Sequence, residues 1–198
     1  MITVRQKALL VVLILALFVF VSVSWPKPPT PEAANKTPEW QILESARDVA
    51  LSALATHDRC AGLFNWPTAS NGHDPSRMLK NLLNHYRASV GLEPGVFLTT
   101  APLEKDASGN LHTAVTQLSQ LKSIKGEIVG IQILVVVNSD PRSFFAQSAN
   151  EQAVLLLHEL GHIFSDLWGS SSTLIRKDSQ RPEQSFENTR LVRTSCEL

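Results

Sequence analysis

Two histidines and a glutamate form the pattern in this chain with the most chemical meaning. His158 and His162 lie four residues apart, and Glu159 directly follows the first histidine. On a helix of about 3.6 residues per turn, positions i and i+4 lie one turn apart on one face, so both imidazoles can reach one metal ion. Glu159 is displaced by about 100 degrees and can reach a metal-bound water. This H-E-x-x-H spacing predicts a zinc (Zn2+) site with two histidine ligands and Glu159 as the general base.

The residues around the motif predict that its helix is buried. Residues 153–157 before it are apolar, and Ile163 and Phe164 after it are apolar as well. Burying two imidazoles and a carboxylate without partners is energetically costly, whereas a metal ion and its water satisfy all three. The alternative interpretation is a helix with hydrogen-bonded core histidines, or a zinc site without activity.

A catalytic zinc ion usually has three protein ligands and one position for water, so a third ligand is needed. The metzincin continuation requires glycine at 165 and histidine at 168, but this chain has Ser165 and Trp168. A downstream carboxylate remains, and the candidates are Asp166, Asp178, Glu183 and Glu187. Asp166 lies two turns beyond His158, about 12 Å along the helix axis, which is too far for both to bind one ion. We therefore predict that Asp166 does not bind the ion but accepts a hydrogen bond from the other ring nitrogen of His162 and so orients the ring.

Three helices are predicted besides the motif helix, the first two from apolar residues at helical spacing. They cover 38–56, a segment that begins at Pro75, and about 182–195. Ser148 and Glu151 form a capping box at the start of the motif helix, and Gly169 ends it.

Strands are predicted in the middle of the chain, at 95–100, in part of the segment after Gly109, and at 128–138. The last is the clearest, because it is rich in β-branched residues and ends at a turn sequence. A strand before a zinc-binding helix commonly forms a sheet edge to which an extended peptide binds. Residues 131–138 are therefore the candidate substrate edge, with an ordinary interior strand as the alternative. Together these elements predict an α+β domain with a small sheet and an HExxH active-site helix.

The N-terminal part differs from the rest of the 198-residue chain. Residues 8–25 are almost uninterruptedly apolar, and Arg5 and Lys7 precede them. This pattern predicts one N-terminal transmembrane helix with the domain outside the cytoplasm, periplasmic or extracellular. A cleaved signal peptide, and hence secretion, is the alternative. Prolines predict an extended linker next, so the predicted divisions are 1–25, 26–39 and 40–198.

Charge and cysteine content narrow the expected partners and compartment. The formal net charge is zero, so nothing argues for nucleic acid. The expected partners are a peptide or protein substrate and the membrane. Cys60 and Cys196 are the only cysteines, and two exported cysteines normally pair. We expect a disulfide that ties the C-terminus to the first helix.

The residues on both sides of the motif form a pattern that resembles a known class of proteins. HELGH follows an apolar strand that ends in Asn and a Phe pair, and it precedes Asp178, Pro182, Ser185, Asn188, Thr189, Val192 and Cys196. With Cys60 upstream, this pattern resembles small bacterial exported proteins of the zincin metallopeptidase class over most of 40–198. The resemblance implies a zincin-like fold and makes Asp178 the preferred third ligand. HELGHIFSD also looks like the HExxHxxxD stretch of ImmA/IrrE-type peptidases, in which a later Glu completes the site, and this favours Glu187 or Glu183.

Two functions compete. In the first, the domain is a zinc metallopeptidase, a hydrolase in which zinc activates a water and Glu159 carries the proton. In the second, it is a non-catalytic, membrane-anchored envelope module with a structural or vestigial zinc site. A weaker third interpretation is an interaction domain in which the motif is accidental. A coordination position left to water favours the enzyme, and four protein ligands favour the module.

Overall fold

The computed structural model describes residues 37–65, 73–84, 95–105, 109, 112–122, 125, 128–178 and 181–198. Within these residues the fold is α+β, with five α-helices and a three-stranded sheet. The helices are α1 (Pro38–Thr56), α2 (Asp58–Gly62), α3 (Pro75–Asn84), α4 (Ala149–Trp168) and α5 (Pro182–Cys196). The strands are β1 (Gly95–Ala101), β2 (Ala114–Lys122) and β3 (Ile128–Asn138).

The predicted fold class is wrong in one part, because it includes a transmembrane helix. None of the helices in the described ranges is long and apolar enough to cross a membrane. The two longest, α1 and α4, carry charged side chains along their length, for example Arg47 in α1 and Glu151 and Asp166 in α4. Charges inside a lipid bilayer are costly. The apolar run at 8–25, and the predicted linker apart from 37–39, lie outside the described residues.

Helix α1 begins and ends where its sequence pattern predicts. The side chain of Thr37 accepts a hydrogen bond from the backbone N–H of Trp40, and Pro38 occupies the first turn, where its missing N–H costs nothing. The buried side chains of α1 recur every three or four residues: Trp40, Leu43, Ala46, Ala50, Ala53 and Leu54. This stripe belongs to one hydrophobic core, in which α1 contacts α4 and α3.

Strand β3 is the centre of the sheet, so the prediction that 131–138 forms the substrate edge is wrong. The strand order is β1-β3-β2, with β1 parallel and β2 antiparallel to β3. The reason is that β3 is apolar on both faces: Val135 and Val137 are buried on one face and Val136 on the other. Such a strand suits the interior of a sheet. The edges of the described sheet are β1 and β2, and β2 contacts α4.

Helix α4 carries the motif, and both of its predicted ends are confirmed. The Ser148 side chain accepts a hydrogen bond from the backbone N–H of Glu151, and Gly169 follows the last turn with φ 87°, a conformation that favours glycine. The Glu151 carboxylate does not complete a capping box but pairs with Arg193 of α5, at 2.6 Å. Helix α4 is therefore held at its start by α5.

The predicted disulfide is confirmed, since Cys60 is bonded to Cys196. Cys60 lies just beyond α1, in the short helix α2, and Cys196 is the last residue of α5. The bond thus fixes the C-terminal end of α5 to the helical layer on the N-terminal side of the domain. Both cysteines are fully buried.

Candidate metal centre

Three side chains converge on one point beside helix α4. His158, His162 and Asp178 each offer one ligand atom, and these atoms all lie within 4.8 Å of one another. The Nε2 atoms of the two histidines are 3.0 Å apart. Asp178 places Oδ2 at 2.9 Å from Nε2 of His158 and Oδ1 at 3.1 Å from Nε2 of His162. This group could hold a metal ion.

The donor set and its spacing fit zinc. Two imidazole nitrogens and one carboxylate are among the ligand sets that zinc takes in catalytic sites. Ligand atoms at about 2.0 to 2.1 Å from a tetrahedral ion are about 3.3 Å from one another. The two Nε2 atoms are 3.0 Å apart, and each has one carboxylate oxygen of Asp178 within 3.1 Å. Three protein ligands leave a fourth position for water or substrate.

The charges within the group favour a cation. Burial alone would raise the pKa of Asp178, but the contacts of its carboxylate with the rings of His158 and His162 outweigh this and hold its pKa well below the usual value. Burial lowers the pKa of His162, while the hydrogen bond to Asp178 and the charges of Glu159 and Asp178 raise it, and the net direction is upward. The nearby carboxylates thus favour a proton on His162. A divalent ion can replace that proton.

Asp178 reaches the histidines because the segment before it is fixed to the core. The backbone N–H of Leu174 and the hydroxyl of Thr173 both donate to the carbonyl of Leu63, at 2.7 and 3.0 Å. Leu63 directly follows α2, so the same region that carries Cys60 also anchors this segment. The Asp178 carboxylate is placed by backbone contacts made several residues earlier.

Gly161, inside the HELGH motif, allows this segment to approach α4. A Cβ atom added at Gly161 would lie 2.6 Å from the Cβ of Ile175 and 2.8 Å from its Cγ2, closer than real Cβ atoms come to other atoms. Any side chain at 161 would therefore push Ile175, and with it Asp178, away from the helix. A glycine inside a buried helix often marks such a close approach.

Asn188 of α5 fastens the same segment from the other side. Its Nδ2 donates to the carbonyl of Arg176 at 2.7 Å, and its Oδ1 accepts from the N–H of Arg176 at 3.2 Å. Nδ2 also lies 3.5 Å from Oδ2 of Asp178. Asn188 is 1% exposed, and a buried amide bonded to both backbone groups of one residue fixes that residue firmly.

Thr189, the next residue of α5, contacts the first histidine. Its Oγ1 lies 2.9 Å from Nδ1 of His158 and donates to the carbonyl of Ser185, also at 2.9 Å. Helix α5 therefore touches the metal centre at two neighbouring positions, one contacting Asp178 and one contacting His158.

Glu159 lies beside the metal group, and a residue of the sheet holds its side chain. Its residue is 5% exposed, and its Oε2 accepts a hydrogen bond from the hydroxyl of Thr116 at 2.6 Å. Thr116 is on the edge strand β2, opposite the buried Val135 of β3. Because directly opposite residues share a face, Thr116 points to the side of the sheet that packs on the helices.

The other acidic candidates lie elsewhere. Asp166 pairs with Lys177 at 2.7 Å, and the described residues show no hydrogen bond between Asp166 and His162, so its predicted role is not seen. Glu183 and Glu187 are exposed on α5, and Glu187 accepts from Gln184 at 3.5 Å. Neither belongs to the group that could hold a metal.

Four residues that support the centre have no assigned role at the level of the sequence: Thr116, Ile175, Asn188 and Thr189. Asn188 and Thr189 occur in the tail pattern of the resemblance but without a function. Gly161, the glycine of HELGH, indicates that some segment approaches the helix closely, although it does not indicate which one. No pattern in β2 points to Thr116.

Comparisons with known proteins add no relative. No protein-family model, no curated protein and no solved structure matches the chain. The resemblance to the zincin class stays a prediction, and it rests on the motif and its neighbouring residues.

Proposed function

We propose that this domain is a zinc-dependent metallopeptidase. One observation carries the proposal: Asp178, which lies 20 residues beyond His158, converges with His158 and His162 at a point that Glu159 flanks. The H-E-x-x-H pattern occurs by chance in some chains. A carboxylate from a separate segment at the correct distance from both histidines is not part of the pattern, and it gives independent support.

The roles follow from the positions. A zinc ion held by the three ligands would polarise a substrate carbonyl and acidify a bound water. Glu159 would accept the proton of that water and pass it to the leaving amine. The hydrogen bond from Thr116 keeps the carboxylate in one orientation, so that its other oxygen can serve as the base.

Catalysis is preferred to a structural zinc site because of the number of ligands. Structural zinc sites are almost always closed by four protein ligands. Within the described ranges the group contains three. A domain that used zinc only for stability would gain from a fourth side chain, and the exposed carboxylates of Glu183 and Glu187 do not provide it.

Strand β2 is the proposed substrate edge. It is an edge of the described sheet, it contacts α4, and its Thr116 bonds the proposed base. An extended peptide that pairs with β2 would pass close to Glu159. Leu118 follows on the same face as Thr116 and is 45% exposed, so it offers an apolar contact to a substrate side chain.

The disulfide supports the proposal that the domain acts outside the cytoplasm. Bonded cysteines persist in oxidising compartments and are rare where glutathione keeps thiols reduced. The Cys60–Cys196 bond is buried. We propose that the domain acts on peptides or proteins in such a compartment.

The test is Glu159→Gln in the full chain, assayed against a broad peptide library. The variant keeps the shape of the side chain and a partner for Thr116 but cannot accept the proton. We expect cleavage to fall by about 100-fold or more, at unchanged zinc content. Glu187→Gln, the same change on the exposed face of α5, is the matched control and should retain full activity.

Two results would count against the proposal. Full cleavage by Glu159→Gln would refute the assigned mechanism. A zinc-loaded wild type that cleaves nothing in the library would favour the non-catalytic module instead.

A further inference from the structure

The Thr189 hydroxyl determines which group donates the hydrogen in its contact with His158. A threonine hydroxyl has one hydrogen and two lone pairs. The carbonyl of Ser185, 2.9 Å away, can only accept. When Thr189 donates its hydrogen there, it can offer only a lone pair to Nδ1 of His158, which is also 2.9 Å away.

The hydrogen on Nδ1 of His158 determines the state of Nε2, the other ring nitrogen. If Nδ1 of His158 donates to Thr189, Nδ1 carries the ring hydrogen, and Nε2 keeps its lone pair in the neutral ring. Nε2 is the atom that lies 3.0 Å from Nε2 of His162 and 2.9 Å from Oδ2 of Asp178. The lone pair therefore points to the position of the metal.

We infer that Thr189 is a positioning residue that selects the metal-binding tautomer of His158 and fixes the plane of its ring. Histidine ligands in metal sites generally donate their second N–H to an acceptor that orients them. Here the acceptor is a hydroxyl on a different helix, and its own hydrogen is held by the Ser185 carbonyl.

Burial makes the loss of the contact between His158 and Thr189 costly. The His158 side chain is 4% exposed, so an Nδ1–H group that lost Thr189 would have little access to water. A buried donor without an acceptor is destabilising, and the ring would gain by changing its tautomer or its orientation. Either change moves the lone pair of Nε2 away from the metal.

The inference rests on the metal site of the proposed function but not on peptide cleavage, so the two can be tested separately. The variants are Thr189→Val, which keeps the shape and removes the hydroxyl, and Thr189→Ser, which restores it. Thr194→Val is the matched control, because the exposed Thr194 hydroxyl of the same helix also donates to a backbone carbonyl four residues earlier, that of Arg190.

The first measurement is zinc affinity by competition with a chromophoric chelator. We expect Thr189→Val to bind zinc about 10-fold to 100-fold more weakly than the wild type. Thr189→Ser and Thr194→Val should stay within about threefold of the wild type, a smaller change than the loss of a metal-orienting partner causes. Wild-type affinity in Thr189→Val would overturn the inference.

The second measurement needs no variant and so does not depend on how Thr189→Val folds. Nitrogen-15 NMR of the histidine rings in the zinc-loaded wild type should show the hydrogen of His158 on Nδ1 and the metal on Nε2. The opposite assignment would overturn the inference while leaving the metal site intact. If the wild type binds no zinc at all, the metal site itself fails, and the role of Thr189 fails with it.

Discussion

Helices α4 and α5 contribute to the candidate metal centre in different ways. Helix α4 supplies His158, His162 and Glu159, and its own helical spacing sets their relative positions. The described metal group takes no ligand from α5, which instead contacts the ligands through Asn188 and Thr189. Local backbone geometry is sufficient for the first contribution, whereas the second needs α5 to be fixed to the rest of the domain.

The two helices are also held differently. Helix α4 lies in the core, with Leu156, Leu157, Leu160 and Ile163 fully buried. Helix α5 buries few side chains and is attached at its end by the disulfide and by the ion pair of Arg193 with Glu151. The candidate metal centre therefore combines histidines on a rigid, buried helix with a supporting helix that a small number of contacts hold in place.

Removing the disulfide should have the largest effect, because it releases α5. The bond joins residues 136 positions apart, and for a loop this long the chain-entropy model gives about 4 to 5 kcal/mol. In Cys60→Ala/Cys196→Ala we expect a loss of roughly that size in the free energy of unfolding, measured by urea denaturation, together with weaker zinc binding. Stability and zinc affinity equal to the wild type would show that α5 does not depend on the bond.

Gly161→Ala tests the contact between α4 and the segment that carries Asp178. The added methyl group would collide with Ile175, and overpacking of this kind costs about 1 to 3 kcal/mol. We expect a loss in that range on thermal unfolding, with reduced zinc affinity. Gly62→Ala is the matched control, because a Cβ there meets no atom within 4 Å. An equal effect of both substitutions would contradict the assigned contact.

The smallest expected effect is a pH dependence at His162. Its pKa in the metal-free folded protein is raised above 6.5, so the protonated ring stabilises the folded state below about pH 6.5, and this contribution is lost as pH rises through the raised pKa. We expect zinc binding to displace that proton and to strengthen over the same interval. The increase in melting temperature on adding zinc should thus grow between about pH 6 and 8.

The control for this pH dependence is His112→Gln, which changes an exposed histidine outside the metal group. Its zinc-induced increase in melting temperature should follow the wild-type pH profile. A wild-type increase that shrinks toward pH 8 would have the wrong sign and would contradict the proton displacement.

The part of the site that lies on one helix could be predicted from the sequence. The spacing of His158 and His162 is a property of the α-helix, and the ends of α4 depend on neighbouring residues, Ser148 and Gly169. The same holds for the bounds of β3. The position of β3 in the sheet could not be predicted in this way, because it depends on which strands pair with it on each side.

The supporting contacts depend on tertiary structure. Thr116 and Glu159 are 43 residues apart in the chain, and Thr189 and His158 are 31 residues apart. Nothing in the spacing of single residues links such pairs. Only a resemblance favours Asp178 at the level of the sequence. Its position depends on Ile175, which packs against Gly161, and on Arg176, which Asn188 holds.

The most direct test of the account is a zinc titration of the metal-free full chain by isothermal calorimetry, with His158→Ala and Asp178→Ala beside it. We predict one zinc ion per wild-type chain. His158→Ala should remove binding, and Asp178→Ala should weaken it without a change in stoichiometry, because losing one of three ligands loosens the ion. Absence of binding to the wild type, or binding that neither substitution changes, would contradict the metal centre formed by His158, His162 and Asp178.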